Sequence, residues 1–312
     1  MTKQSWFKKR DCFAPAGLAM TGFLLAIGIA GYALANGVPD QVELMKIAPA
    51  SREEDSAKVT PATVGRLPPP EIPVVEHLEY QISWWGVPVA QLTMNAGPVT
   101  DKEDIDKLTK DNFQPGNLLK LDCQARTLDY LKGFIPIQVH LVSFLDPKSR
   151  SPRRFEAFTK RRKRRHESVE LFWLEKGQAF HQLPKGRSAT VPISPTTQDG
   201  LSLLYYVRTL PLQVGQEIPL EVSAAGRNWQ LNGKISRTGI VQIKKMKEWP
   251  AVAGEAELAY PVPFFQGAHA LVWFSADRER IPLLGRINSN IGPVTVVLTC
   301  RTTEAGSTRL SS

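Results

Sequence analysis

The sequence is poor in the side chains that most often bind metals. Its 312 residues include only three cysteines and five histidines. No histidine lies four positions from another, and none stands at ligand spacing from a cysteine, so the usual zinc patterns are missing. We therefore expect no metal and no other cofactor.

Two common catalytic signatures are also missing. The chain contains no G-x-S-x-G, the turn that exposes the nucleophile of many serine hydrolases. It contains no G-x-x-x-x-G-K-[ST], the loop that cradles phosphates in P-loop enzymes. These absences leave other catalysis open, and they favour a protein that binds over one that catalyses.

Positive charge is concentrated in two short segments of the chain. The formal net charge is +9, and most of the excess lies among the first ten residues and in the basic run 160–165. The rest of the chain is close to neutral, which argues against a nucleic-acid-binding surface spread over the domain. We expect no nucleic-acid partner.

The first 35 residues have the three parts of an export signal. Four basic residues precede an uncharged, largely apolar run over 12–39, and Ala33-Leu34-Ala35 supplies a small-x-small cleavage site. Residues 13–35 are also long and apolar enough to remain as a membrane anchor. Both alternatives place the rest of the chain outside the cytoplasm.

Composition divides the remainder into three parts. Residues 36–73 are polar and proline-rich, which predicts a disordered tether. Residues 74–302 contain many short alternating segments, which predict the strands of a single β domain. Within it, the charged stretch 101–116 lacks apolar spacing and should be an irregular surface excursion. Residues 303–312 are expected to be a disordered tail.

One segment has helical periodicity. Apolar residues recur every three to four positions between Asp199, a good N-cap residue, and Pro211, which stops a helix. The opposite side is apolar too, so this helix should be buried. We predict a mainly β fold, an antiparallel sheet curled into a barrel or half-barrel, with one principal helix from Asp199 to Leu210.

Three stretches of the β domain resemble a bacterial exported family. They begin at residues 78, 199 and 273 and read LEYQISWWGV, DGLSLLYYVR and WFSADRERIP. In content, order and spacing they are similar to the domain of unknown function DUF3108. The resemblance implies a periplasmic protein. The N-terminal run leaves open whether it is soluble after cleavage near Ala35 or anchored to the inner membrane by residues 13–35. It implies no activity and no catalytic residues.

The predicted helix carries the first candidate site. A curled sheet of this size commonly encloses an apolar cavity. Ser202 and Tyr205 would line it, and Arg208 would meet an anionic headgroup. In the structural alternative, Asp199 caps the helix and Arg208 forms an ion pair that fixes the helix on the sheet.

The second candidate site is the basic block, which lies between two strand-like runs and should form a hairpin tip. Like charges so close together repel each other, which favours an anionic partner. We interpret the block as a contact for an anionic membrane surface or lipid, with a solvated turn as the alternative. Its members are Lys160, Arg161, Arg162, Lys163, Arg164 and Arg165.

Two further pairs of residues are informative. Trp84 and Trp85 end a strand-like run, so one should pack inward and the other outward, as an interface anchor or a second core contact. Cys123 and Cys300 remain after signal cleavage and lie on apolar strand faces. They predict either a disulfide in an oxidising compartment or two buried thiols.

These features favour a periplasmic, non-catalytic binding module of the cell envelope, with an apolar or lipid-like ligand near an anionic membrane. One alternative is a protein-interaction or scaffolding module without a cavity. The other is an envelope hydrolase without a common motif, which should bring polar groups together in a cleft. The sequence does not specify a protein partner.

Overall fold

The computed structural model describes residues 57–70, 75–134, 136–182, 186, 188–224, 226–243, 248–258, 268–289, 292–303 and 306–309. The predicted signal or anchor, 1–35, and the first part of the predicted tether lie outside these ranges. Within the described ranges, no helix is long and apolar enough to cross a membrane.

The described chain is mainly β, as predicted. Its strands are β1 Ala57–Pro61, β2 Glu76–Trp84, β3 Val87–Pro98, β4 Leu119–Thr127, β5 Ile137–Asp146, β6 Ser151–Arg161, β7 Arg164–Trp173, β8 Gln178–Gln182, β9 Ser188–Pro192, β10 Glu217–Ala224, β11 Arg227–Ile243, β12 Glu248–Leu258, β13 Ala268–Ser275, β14 Pro282–Ser289, β15 Gly292–Thr303 and β16 Gly306–Arg309. Its α-helices are α1 Lys102–Lys110 and α2 Ser202–Arg208.

The strands form one antiparallel sheet in the order β1-β11-β12-β13-β14-β15-β2-β3-β4-β5-β6-β7-β8-β9, with β10 on β11 and β16 on β15. The two ends of this sheet meet without a ladder. A single parallel bridge joins Gln198 to Val222, and the Asn228 side chain donates to the backbone oxygen of Pro192. The sheet is therefore curled and barrel-like but is not closed by continuous strand pairing.

Alternation along the strands fills the interior. On β2, Leu78, Tyr80 and Ile82 are almost fully buried, and the residues between them are partly exposed. Phe155 of β6 and Phe172 of β7 belong to the same hydrophobic cluster. These large side chains pack as one cluster, so the described residues form a hydrophobic core at this level.

Antiparallel order sorts the connections between two ends of the sheet. The β2–β3, β4–β5 and β6–β7 connections lie at one end, which we call the tip end. The β3–β4 connection, with α1, and the β9–β10 connection, with α2, lie at the other.

Helix α1 corrects the prediction of one principal helix and an irregular stretch at 101–116. Glu103 and Asp104 lie in its first turn, where the helix dipole favours negative charge. Lys107 and Lys110 lie in its last turn, where the dipole favours positive charge. Leu108 is its one buried apolar residue, so the helix has no apolar periodicity by which it could be predicted. The order of its charges, acidic first and basic last, is what favours it.

The predicted tether, 36–73, is structured where it is described. Ala57–Pro61 pairs with Gly239–Ile243 of β11. Since β10 pairs with β11 only as far as Lys234, β1 covers an edge whose backbone groups would otherwise be unpaired. The predicted disordered tail is corrected in the same way, because Gly306–Arg309 pairs with β15.

No disulfide joins Cys123 and Cys300, so the predicted disulfide is not formed. Cys123 lies on β4 and Cys300 on β15, with β2 and β3 between those strands. Three strand spacings amount to about 14 Å, about twice the Cα separation that a disulfide can bridge. Burial raises the pKa of the Cys123 thiol, so it is poorly reactive.

We expect thiol labelling to reveal this arrangement. In the unfolded protein, without reductant, an alkylating reagent should modify both Cys123 and Cys300, as mass spectrometry of the peptides would show. In the folded protein Cys300 should react first, because it is partly exposed whereas Cys123 is buried. Recovery of a peptide that crosslinks the two cysteines would contradict their separation by two strands.

Candidate functional site

A fully buried ion pair fixes α2 on the sheet. Arg208, the last residue of α2, donates from Nη1 and Nη2 to the two carboxylate oxygens of Glu76, at 2.7 and 2.9 Å. Its Nε and Nη2 also donate to the backbone oxygen of Glu279, at 3.1 and 3.0 Å. Both side chains of the ion pair are 0% exposed. Because water does not reach them, each charge is stabilised by the opposite charge of its partner.

Two tyrosines surround this pair. Tyr205 donates its hydroxyl to Glu76 at 3.2 Å, and the Arg208 guanidinium lies 4.8 Å from the Tyr205 ring centre. Burial, reinforced by the Glu76 carboxylate, raises the pKa of both Tyr80 and Tyr205. Burial alone would lower the pKa of Arg208, but Glu76 outweighs it and raises that pKa. The arginine therefore stays charged.

Asp199 organises the start of α2. Its Oδ1 accepts the backbone N–H groups of Leu201 and Ser202, at 2.7 and 2.8 Å. Its Oδ2 accepts the hydroxyl of Ser143 on β5, at 2.6 Å. Burial raises the pKa of Asp199 to about 6, and the charge of Glu170 contributes to the rise. The helix has Leu201 at its N-cap position and begins at Ser202. It therefore starts later than the predicted N-cap, Asp199, although the Asp199 side chain binds the backbone N–H groups at its start.

The structure brings Ser202, Tyr205 and Arg208 together on α2 but turns their polar atoms toward the protein. Ser202 accepts the backbone N–H of Asp199 at 3.0 Å, and the other two bind Glu76. All three are buried. This geometry matches the structural alternative, in which Arg208 is an ion-pair partner that fixes the helix.

A further buried polar chain was not predicted. Ser223 Oγ lies 3.1 Å from His181 Nε2, and His181 Nδ1 lies 3.3 Å from Glu170 Oε1. The order serine, histidine, carboxylate is that of a hydrolase triad. All three residues are 0% exposed, so a substrate has no access to the serine. Glu170 and His181 face each other across β7 and β8, a pairing that no sequence motif reveals.

The predicted basic block does form a hairpin tip. Arg161 pairs with Arg164 and Lys160 with Arg165 where β6 meets β7, and the four residues 162–165 are exposed. Within the described part of the chain, no carboxylate lies within ion-pair distance of these four. We call residues 160–165 the basic tip. It is the most concentrated accessible charge that the structure describes.

Other site types find little support in the described residues. No three His, Cys, Asp or Glu side chains there converge as metal ligands would. A groove of about 360 Å³ is lined by residues 62–66 together with Ile240, Pro250 and Ala276. Arg66 is the only charged side chain in that lining, so the groove lacks the converging polar groups of an active site.

The three motifs at residues 78, 199 and 273 lie at β2, α2 and the β13–β14 connection, which together hold the buried ion pair. A family model described as "Protein of unknown function (DUF3108)" matches residues 79–299. The chain belongs to the DUF3108 family. No curated protein matches it.

Solved structures show what this DUF3108 fold is similar to. A β-barrel-like protein of domain of unknown function DUF1849 from Brucella abortus aligns with a TM-score of 0.50 and 10% identity, covering 74% of this chain and 98% of that one. A duf1089 family protein from Pseudomonas aeruginosa aligns with a TM-score of 0.25 and 14% identity, covering 43% and 76%. The first supports a barrel-like fold and nothing about function.

Proposed function

We propose that this DUF3108 protein is a periplasmic, non-catalytic module of the cell envelope that docks on an anionic membrane surface through its basic tip. The observation that carries the proposal is the tip itself: six consecutive basic residues at one hairpin tip, four of them exposed. Basic residues close to an anionic bilayer contribute about 1 kcal/mol each. The predicted export signal or anchor supports a location beside such a membrane.

The packed interior favours lipid contact at the surface over a lipid held inside the barrel. The residues predicted to line a cavity use their polar groups to bind Glu76 and the backbone at the start of α2. The same observation favours a scaffolding module as the second candidate function, because a scaffold needs no cavity. Catalysis is not proposed, since Ser223, His181 and Glu170 are inaccessible.

Sedimentation with vesicles tests the membrane contact. The segment 36–312 contains every described residue and lacks the apolar N-terminal run, which would bind vesicles by itself. We expect it to bind vesicles containing phosphatidylglycerol, and to bind less as salt rises, because exposed charges are screened within about 8 Å at physiological ionic strength. The variant Arg162→Ser/Lys163→Ser/Arg164→Ser should bind about a hundredfold more weakly.

A variant with the same loss of charge elsewhere is the control. Lys102, Lys110 and Lys148 are exposed and lie at the other end of the sheet, so their replacement by serine should weaken binding far less. Both variants should keep the parent's thermal stability, since neither change reaches the core. Equal binding by the parent and the tip variant would leave the tip as a solvated turn and favour the scaffold.

A further inference from the structure

Three of the four exposed large apolar side chains among the described residues lie near the basic tip. The four are Trp85, Tyr130, Phe134 and Val214, with 51%, 41%, 47% and 56% of their surface exposed. Trp85 lies in the β2–β3 turn, and Tyr130 and Phe134 lie in the β4–β5 connection, all at the tip end. Val214 lies apart, between α2 and β10. We call the three aromatic residues the aromatic rim.

Direct contacts join the rim to the basic tip. The Tyr130 hydroxyl donates to the backbone oxygen of Pro88, which holds the β4–β5 connection against the strand that follows Trp85. Arg162 Nη2 donates to the backbone oxygen of Phe134 at 3.2 Å. Three neighbouring connections therefore form one surface that carries aromatic rings beside basic side chains.

Trp85 is held in a conformation that costs stability. Its φ is +52° and that of Gly86 is +75°, so both residues of the turn are left-handed, which suits asparagine or glycine far better than a bulky residue. A Cβ atom on Gly292 would collide with the Trp85 indole, so the ring rests directly on that glycine. Trp84, by contrast, is buried. A fixed, half-exposed ring is typical of an interface anchor.

The charge of the molecule is arranged to orient this surface. Arg126 and Lys132 are exposed beside the rim. Lys132 pairs with Asp129 at 2.5 Å, so this connection adds one net positive charge to that of the basic tip. Residues 101–111, at the other end of the sheet, contain five acidic and three basic side chains. Lys120 and Arg154 pair with carboxylates of that stretch, so it is close to neutral. A negatively charged surface therefore attracts the tip end more strongly than the α1 end, and the field turns the rim toward it.

We propose that the aromatic rim enters the interfacial layer of an anionic bilayer while the basic tip binds the headgroups, so that the barrel stands end-on on the membrane. The inference rests on the proposed function and adds the residues that insert and the orientation. Aromatic side chains with a polar edge favour the boundary between headgroups and acyl chains. A bilayer fits this surface because the exposed rings lie beside an excess of basic side chains.

Quenching of Trp85 fluorescence tests insertion in the full chain. Parent and Trp85→Phe proteins are reconstituted in vesicles of phosphatidylglycerol and phosphatidylcholine brominated on its acyl chains. The difference between their emissions isolates Trp85, because the other six tryptophans are common to both. We expect the bromines to remove about half of this difference, since interfacial side chains reach about 5–10 Å into the headgroup boundary. Vesicles of the brominated phosphatidylcholine without phosphatidylglycerol should leave the Trp85 emission unquenched.

The matched control is Trp85→Phe/Val214→Trp, which moves the exposed indole to a position outside the tip end. Its added emission should stay unquenched. Equal quenching at both positions would overturn the end-on orientation. Unquenched Trp85 in a protein whose 36–312 segment still binds vesicles through the tip would overturn insertion and leave the proposed function standing. If tip-dependent binding is also absent, both proposals are wrong.

Discussion

Replacing Arg208 with methionine should lower the free energy of unfolding by about 3–5 kcal/mol. The change leaves the Glu76 carboxylate fully buried without its counter-charge. It also removes both donors to the backbone oxygen of Glu279. A buried charge that has lost its partner costs far more than the intact pair contributes. Denaturant unfolding followed by circular dichroism measures the loss.

Arg237→Met is the matched control. Arg237 forms an exposed ion pair with Glu255 at 3.5 Å, and exposed pairs contribute about 0–1 kcal/mol. Glu76→Leu/Arg208→Met removes both buried charges, so it should lose less stability than the two single variants lose together. Equal losses in Arg208→Met and Arg237→Met would contradict a buried, mutually dependent pair.

The fold was predictable where it depends on neighbours in the chain. Leu78, Tyr80 and Ile82 alternate with polar residues, and that local pattern is enough to predict a strand with one buried face. Trp84 continues this alternation as the inward residue at the end of β2. Trp85 is outward as predicted, although it lies in the following turn. The buried helix was predictable as well, because apolar residues occur on all of its sides.

The sites depend on contacts between distant residues and were harder to predict. Arg208 and Glu76 are 132 positions apart, and Ser223 and His181 are 42 apart. A partial signal existed for the first pair. Arg208 lies on a helix with no polar face, and a guanidinium cannot be buried without an acceptor. Glu76 lies two positions before Leu78 and therefore shares the inward face of β2. It is thus an acidic side chain that a buried helix could contact.

Asp199→Asn should change how stability depends on pH. In the folded protein burial raises the pKa of Asp199 to about 6, from an ordinary value of 3.8. The folded state therefore holds this proton more tightly than the unfolded chain does. The stability that comes from protonated Asp199 is fully present below about pH 4 and is lost as the pH rises through about 6. The loss amounts to about 3 kcal/mol at neutral pH.

Asparagine imitates the protonated acid, because its oxygen can accept the N–H groups of Leu201 and Ser202 while its amide donates to Ser143. Denaturant unfolding should therefore find parent and Asp199→Asn about equally stable at pH 4, and the variant more stable at pH 7 by up to about 3 kcal/mol. Asp106→Asn, on the exposed side of α1, is the control and should change the free energy of unfolding by no more than about 0.5 kcal/mol. If Asp199→Asn is less stable than the parent at pH 7, the ionised carboxylate holds α2 more strongly than its burial opposes it.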